Sequence, residues 1–459
     1  MWEQIRYNRI RTAQLVIGIG LLLVLLGYLL GLLLSLGLKL PASLYTPDEY
    51  GSWLANLGTP NQFGIAGVVI ALIVWAVASL VTYFNGDNII LGLAKAKKIG
   101  ANDLKRLSNI VEELKISSGL EIMPSIYVID DPALNAFAVG RDPKKAAVVV
   151  TSGLLQKLNR DELQGVIAHE IAHIKNRDVL LMVMCSVLLG TMIILSHYPS
   201  YLSWGETTIT KQKSDRKKYS DSKNLRTVSI SIFLALVALF IVPFGEPTFD
   251  MYFVFGCLSL GLTPVAMIVL IGLPFSVLLI YYAISRRREY LADATATLYT
   301  RYPEGLASAL EKIASSKDQL QSAKPALASI YIANPFGNPH DTKNNNAGTH
   351  PPITERIHIL RSMTHISLID YDRAYREFLG TDRNVLPAYA LANADTATIR
   401  PARVDDIDYI QRIRETSNAL WNLNNYKLIS CPCGTRMRLP PRYKLPEIKC
   451  PHCGRINQV

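Results

Sequence analysis

The sequence predicts an α+β protein hung from several membrane-crossing helices. Three observations carry that reading: long charge-free apolar blocks, helical and strand patterns in succession after the second block, and a cysteine-bearing C-terminus. At 459 residues, 49% of them hydrophobic, the chain is long enough for more than one folded unit. Residues Thr12 to Leu38, Val179 to Ser196, Thr227 to Gly245 and Met251 to Ser285 carry no charge, and between Glu49 and Asp87 the apolar core is Phe63 to Phe84. Each is long enough, or nearly so, to cross roughly 30 Å of hydrocarbon at about 1.5 Å per residue. The first block follows Arg6, Arg9 and Arg11, yet it is too long for a cleaved signal and lacks a small-residue cleavage site, so it reads as a retained anchor.

The net charge of +11 sits largely beside these blocks, at Lys95, Lys97 and Lys98 and at Arg286 to Arg288. That is the positive-inside pattern; it makes the lipid bilayer the partner and nucleic acid an unnecessary one. A basic N-terminus inside and Asp48 and Glu49 outside return the second span to the cytoplasm, with residues 85–178 on that side. The segment from Tyr198 to Arg226 holds seven basic residues against three acids, which favours keeping it inside as well. Val179 to Ser196 would then lie on the protein or the membrane surface, with two later crossings flanking an external "GEPTFD" turn. Four crossings, with the last block split near Pro264, are the alternative.

Between Asn102 and Gly119, Leu104, Leu107, Ile110, Val111 and Leu114 recur at helical spacing. "SIYVID", "NAFAVG" and "AAVVVT" follow as short strands broken by Asp-Pro and Gly. A second helix starts at Asn159, an N-cap with Glu162 as its capping-box partner, and runs through "VIAHEIAHIKNRD". The stretch "DTKNNNAGT", residues 341–349, reads as a polar loop.

On that helix His169 and His173 stand four apart and face one way, so both imidazoles can reach one metal ion, with Glu170 one residue round. Zinc suits neutral imidazole and carboxylate ligands, and with three protein ligands it keeps a position at which water is acidified. Glu170 can take that proton and pass it to a leaving amine. Histidines satisfied by backbone carbonyls are common, but burying three ionisable groups without a metal or partners is costly. A third ligand lies in "SRRREYLADATATLYT": Glu289 and Asp293 are again i and i+4, so Glu289 can ligate while Asp293 holds an imidazole by its other nitrogen. Ordinary juxtamembrane ion pairs with Arg286 or Arg288 are the competing explanation of those two acids.

"NAFAVG" at 135–140, "VVVTSGLLQKLNRDELQGVIAHEIAHIKNRD" at 148–178, "SRRREYLADATA" at 285–296 and "THPPITERIHIL" at 349–360 stand in order. With these four motifs the sequence resembles the HtpX-type membrane zinc metalloproteases, kin of the CAAX prenyl proteases. The resemblance implies a gluzincin-like domain with His169, His173 and Glu289 as zinc ligands, Glu170 as general base and Asp293 behind the ligands. It implies that Asn135, Ala136, Phe137 and Ala138 form an edge strand for substrate backbone, and that His350 and Arg356 belong to the catalytic machinery, His350 stabilising the oxyanion. Without it, His350 is a loop residue in a Pro-rich turn. It further implies polypeptide substrates, membrane proteins among them, cut in quality control on the cytoplasmic side of the inner membrane. The step of 116 residues from His173 to Glu289 is long for the family and leaves the number of spans open.

The tail beyond about residue 365 lies outside the resemblance. Cys185 and Cys257 fall in apolar blocks and read as packing residues. Cys431, Cys433, Cys450 and Cys453 form C-x-C, sixteen residues, C-x-x-C, a zinc-ribbon pattern; a pair of disulfides is the alternative, disfavoured by a reducing cytoplasm. His452 reads as a spectator between two ligands. The expected organisation is a transmembrane pair over 1–84, a protease domain over 85–364 interrupted by membrane segments near 179–198, 228–245 and 251–285, a helical linker over 365–426 and the ribbon over 427–459. One catalytic and one structural zinc are expected. The rival class is a non-catalytic scaffold that keeps zinc for structure and recruits partners through its ribbon, which has no need of Glu170.

Overall fold

The structure is a computed structural model of the chain. It describes residues 2–42, 60–100, 103–187, 286–318, 320–321, 327–328, 330–333, 350–392, 396–403 and 406–459. The apolar blocks at 227–245 and 251–285, the basic loop at 198–226, the "GEPTFD" turn, Cys257 and the polar loop at 341–349 lie outside the described residues. The block starting at Val179 is described to residue 187 and is helical there. By its internal contacts the chain divides into two compact units, one of residues 1–9, 85–183 and 284–459, the other of residues 10–84 and 184–283.

Two long helices open the chain, α1 (Trp2–Ala42) and α2 (Pro60–Leu93). Thr12–Leu32 and Asn61–Leu93 are long and apolar enough to cross a membrane. Ile65, Val69, Ile73, Val77, Leu80 and Phe84 of α2 all stay exposed, as expected of a helix whose solvent is lipid. The two helices meet along a glycine seam, where backbones approach too closely for any side chain: a Cβ at Gly67 would lie 2.0 Å from Gly27 O, and one at Gly31 would lie 2.1 Å from Phe63 O. Trp75 Nε1 donates to Val16 O at 2.9 Å across the same interface.

The first unit is built on a four-stranded sheet in the order β1 (Lys97–Lys98), β2 (Ser125–Ile129), β4 (Ala147–Thr151), β3 (Ala136–Val139). β2 and β4 are parallel; β3 is antiparallel to β4, with Ala136 opposite Val150 and Ala138 opposite Val148, and forms the sheet edge. The amphipathic helix expected before the sheet is α3 (Lys105–Ser118), closed by Gly119 in the left-handed region at φ 65°. Thr151 ends β4 and caps α4 (Ser152–Lys157), and Asn159 then caps α5 (Arg160–Asn176) with a complete capping box: Asn159 Oδ1 accepts from Glu162 N and Glu162 Oε2 from Asn159 N, both at 2.8 Å. α6 (Arg286–Thr300) and α7 (Pro303–Ser315) pack on α5. α7 can approach because Gly165 has no side chain: a Cβ there would lie 2.6 Å from Leu306 N.

α8 (Ile353–Arg361) and α9 (Leu368–Leu379) pack against each other, and both touch α6, with Tyr371 of α9 fully buried. α10 (Tyr409–Leu423) lies on α4 and leads into two hairpins, β5 (Lys427–Ser430) with β6 (Arg436–Leu439) and β7 (Glu447–Lys449) with β8 (Ile456–Gln458). Within 365–426, expected to be a helical linker, α9 and α10 pack on helices of the first unit.

Replacing Gly67 by Val forces α1 and α2 apart. The expected cost is about 1–3 kcal/mol, the range of overpacked interiors, read as a lower unfolding midpoint in detergent; an unchanged midpoint would show that the seam carries no packing.

Candidate active site

α5 and α6 bring the widely separated motifs together. On α5, His169 and His173 lie one turn apart with ring centroids 4.7 Å apart and planes at 89°, so that their Nε2 atoms face each other at 3.1 Å. From α6, Glu289 sets Oε2 3.6 Å from His169 Nε2 and Oε1 3.7 Å from His173 Nε2. All three side chains are buried, and Glu289 Oε2 makes no hydrogen bond among the described residues. Four donors at zinc bond lengths of about 2.0–2.1 Å stand about 3.3 Å apart in a tetrahedron. The observed spacings bracket that value, and a carboxylate and two imidazoles converging in a dry interior are the donors of a divalent-cation site.

Each imidazole is held from behind by a carboxylate. His169 Nδ1 lies 2.9 Å from Asp293 Oδ1, and His173 Nδ1 lies 3.0 Å from Asp178 Oδ2. A proton on each Nδ1 leaves the Nε2 lone pair free for a metal. Burial alone would lower the basicity of His173; Asp178 outweighs it and raises the imidazole to about 10, so a cation taken by Nε2 displaces a proton. Asp178 reaches His173 because α5 stops at Arg177, which takes the left-handed conformation at φ 56° and turns the chain back.

Arg356, on α8, is fully buried behind Asp293 and grips it with Nε at 2.8 Å and Nη2 at 2.7 Å from the two carboxylate oxygens, while Nη1 donates to Ile332 O at 3.2 Å. Burial would raise the Asp293 carboxyl; Arg356 and His169 outweigh it and hold it below the usual aspartate range. Glu170 shows the opposite balance, for burial pushes its carboxyl up while His169 and His173 pull against it. His350 Nδ1 lies 3.2 Å from Glu289 Oε2 without the angle of a hydrogen bond, and neither ring nitrogen has a hydrogen-bond partner among the described residues.

The strand beside α5 is β3. Asn135 O pairs with Thr151 N, so the antiparallel ladder turns the peptide groups of Ala136 and Ala138 outward. Ile332 N donates to Ala136 O at 3.0 Å, and Asn135 Nδ2 donates to Ala333 O at 3.0 Å, so the chain's own 331–333 segment covers that end of the edge. The Phe137 side chain is buried against Tyr331. Ala138 retains the outward rung, with no hydrogen bond to it among the described residues.

Comparison with known proteins gives the family. The model of peptidase family M48 matches residues 101–364, more than half of the chain. The chain belongs to that family. Its curated relatives include a "Protease HtpX homolog" of Dictyoglomus turgidum, 37% identical over 302 residues, covering 66% of this chain and 84% of the relative. Another of the same name, from Streptococcus uberis, is 32% identical over 363 residues, covering 79% of this chain and all of the relative. No solved structure gave a significant match. As an M48 peptidase of HtpX type the chain is a membrane zinc metalloprotease, with polypeptides as substrates.

The tail beyond residue 364 is outside the M48 match. There Cys431 and Cys453 set their sulfurs 3.6 Å apart and Cys433 and Cys450 theirs 3.7 Å apart, with all four within 4.8 Å of one another. A disulfide requires about 2.05 Å, whereas four thiolates at about 2.3 Å from zinc stand about 3.8 Å apart. Gly434 and Gly454, at φ 88° and 74°, close the two knuckles, and their amides donate to Cys431 O and Cys450 O. Hydrogen bonding to Thr435 draws the Cys433 thiol down to about 5, which favours the ligating form.

Two residues here carry geometry that motif reading did not assign. Asp178 closes the quoted histidine stretch, and its position five residues past His173 was the available signal. Arg356, expected among the catalytic groups, is placed against Asp293, with both of its hydrogen bonds to that carboxylate made from the buried interior.

Removing Arg356 as Arg356→Ala strands a buried carboxylate, with an expected loss of about 3–5 kcal/mol in denaturant unfolding; a loss under about 1 kcal/mol would contradict the pairing. The depressed Asp293 fixes the sign of the acid effect. Its stabilisation is fully present above the ordinary aspartate value of about 3.9 and is lost as pH falls through the lower folded value. Asp293→Asn should therefore flatten the fall of stability below about pH 4.

Proposed function

We propose that this M48 peptidase is an endopeptidase of the cell inner membrane, with active site and ribbon on the cytoplasmic side, that cuts membrane proteins in quality control. The carrying observation is the buried convergence of His169, His173 and Glu289 with Glu170 beside them. Lys95, Lys97, Lys98 and Arg286 to Arg288, flanking the apolar blocks, support the cytoplasmic side. The organisation read from the sequence, with a transmembrane pair to residue 84, protease domain to 364, extension to 426 and ribbon to 459, is part of the same proposal.

His169, His173 and Glu289 would hold the catalytic zinc, and Cys431, Cys433, Cys450 and Cys453 a second, structural one. When bound in the first site, zinc supplies a Lewis acid that polarises a peptide carbonyl and acidifies water. Asp293 and Asp178 keep the proton of each imidazole on Nδ1, with Arg356 fixing Asp293. Substrate backbone adds to the outward rung of Ala138, on the edge formed by Asn135, Ala136, Phe137 and Ala138. Glu170, whose burial makes it a stronger base than an exposed glutamate, takes a proton from the attacking water and returns it to the leaving nitrogen. His350, whose ring nitrogens make no hydrogen bond among the described residues, donates to the carbonyl oxygen as charge gathers there.

The test is Glu170→Ala in the full chain, set beside zinc content. Turnover of an unfolded polypeptide should fall by about 10²–10⁴-fold with zinc retained. Wild type should carry two zinc ions and the His169→Ala/His173→Ala variant one. Turnover that survives Glu170→Ala, or a zinc content indifferent to both histidines, would sink the proposal in favour of a zinc-bearing scaffold.

A further inference from the structure

We propose that Arg400, in the extension beyond the M48 match, is a positioning residue of the metal site that locks the two ligand-bearing helices together. The inference rests on the reading that His169, His173 and Glu289 hold zinc.

The extension returns to the protease core at Ile366 and Ala397, which exchange backbone hydrogen bonds at 2.8 and 3.0 Å. The next residues cross between the end of α6 and the start of α5. There the Arg400 amide donates to Arg301 O at 3.0 Å and its Nε donates to Thr300 O at 2.9 Å, at the C-terminus of α6. Its Nη2 donates to Asp161 Oδ1 at 2.7 Å and Gln164 Oε1 at 3.1 Å, both in the first turns of α5. The guanidinium also lies over the Tyr302 ring, 4.7 Å from its centroid. A planar fork with donors on several sides makes this three-way junction; a lysine ammonium has neither the reach nor the flat face.

The junction couples α5 to α6 at a distance from the ligands. His169 is eight residues past Asp161, about 12 Å along α5, and Glu289 is eleven residues before Thr300, about 16 Å along α6. Zinc would join the helices at one level and Arg400 at another, so a slide or rotation of one helix past the other is resisted at both. The cation is also well placed electrostatically, at the carbonyl end of α6 and beside the acids of the first turn of α5.

Residues 396–403 form a strap whose other contacts, among the described residues, do not bridge the two helices. Arg403 donates its amide to Asp161 Oδ2 at 2.9 Å and its Nη2 to Glu113 Oε2 at 3.2 Å, reaching α5 and α3, and beyond the strap Asp406 Oδ2 accepts from Arg160 N at 2.9 Å. Arg403→Ala thus loosens the strap without uncoupling α5 from α6, which makes it the control for general stability.

The experiment uses the full chain in detergent. Zinc loss to excess chelator is followed for wild type, Arg400→Ala, Arg400→Lys and Arg403→Ala, and the component absent from His169→Ala/His173→Ala is taken as the active-site ion. Arg400→Ala should speed that component by about tenfold or more, as for groups that orient ligands. Its kcat should fall while KM stays within about twofold, since substrate contacts are untouched. Arg400→Lys should keep the folding midpoint nearer wild type yet release zinc fast, so the result stands even if the alanine variant folds poorly. Arg403→Ala should match wild type in both readouts. Zinc release in both Arg400 variants within about twofold of wild type, or Arg403→Ala equal to Arg400→Ala, would overturn the clamp. A wild type with no histidine-dependent component would overturn the zinc reading, and the clamp with it.

Discussion

Two imidazoles and a carboxylate brought into an apolar interior must be neutralised and oriented there, and much of the surrounding structure meets that demand. Side chains this deeply buried are shielded from the bulk solvent that would offset their charge. The answer is built in layers. The Nε2 atoms and Glu289 converge on a common point, Asp293 and Asp178 hold the opposite ring nitrogens, and Arg356 compensates Asp293. The layers are drawn from α5 with the turn after it, from α6 and from α8, so the geometry is only as good as the packing of α5 against α6 and α7 and of α8 against α6 and α7.

That dependence explains features with no chemistry of their own. Gly165, one turn before His169, lets the α7 backbone come close enough for α5 to be covered on that side. The capping box at Asn159 fixes where α5 begins, and the left-handed Arg177 fixes where it ends, which decides that Asp178 and not a later residue meets His173. α9 packs on α6 and α8, and Arg400 bridges the end of α6 and the start of α5, so described parts of the extension beyond the M48 match pack on the helices that carry His169, His173 and Glu289.

Local chemistry was legible in the sequence. The i, i+4 histidines, the Asn159 cap with Glu162, the short β-forming runs "SIYVID" and "AAVVVT" and the cysteine spacing each state a structure within a few residues, and the helix, strands and sulfur cluster follow them. What was hidden depends on distance or on a single backbone angle. Asp178 needs a non-glycine residue at φ 56°, which no periodicity announces. Arg400 meets Asp161 across 239 residues, and nothing near either position signals the pair. Arg356 could be placed near the site by its motif, but only the fold reveals that it faces Asp293. The apolar core read at Phe63 to Phe84 lies within a helix that runs on to Leu93, because the polar residues Asn85, Asp87 and Asn88 do not break a helix.

On the proposed function the chain builds two chemically distinct zinc sites, one of nitrogen and oxygen donors and one of sulfur. X-ray absorption at the zinc edge on the zinc-loaded full chain tells them apart. Two shells are expected, nitrogen or oxygen at about 2.0–2.1 Å and sulfur at about 2.3 Å, with the first lost in His169→Ala/His173→Ala. A wild-type spectrum fitted by sulfur alone would contradict it and leave only the ribbon.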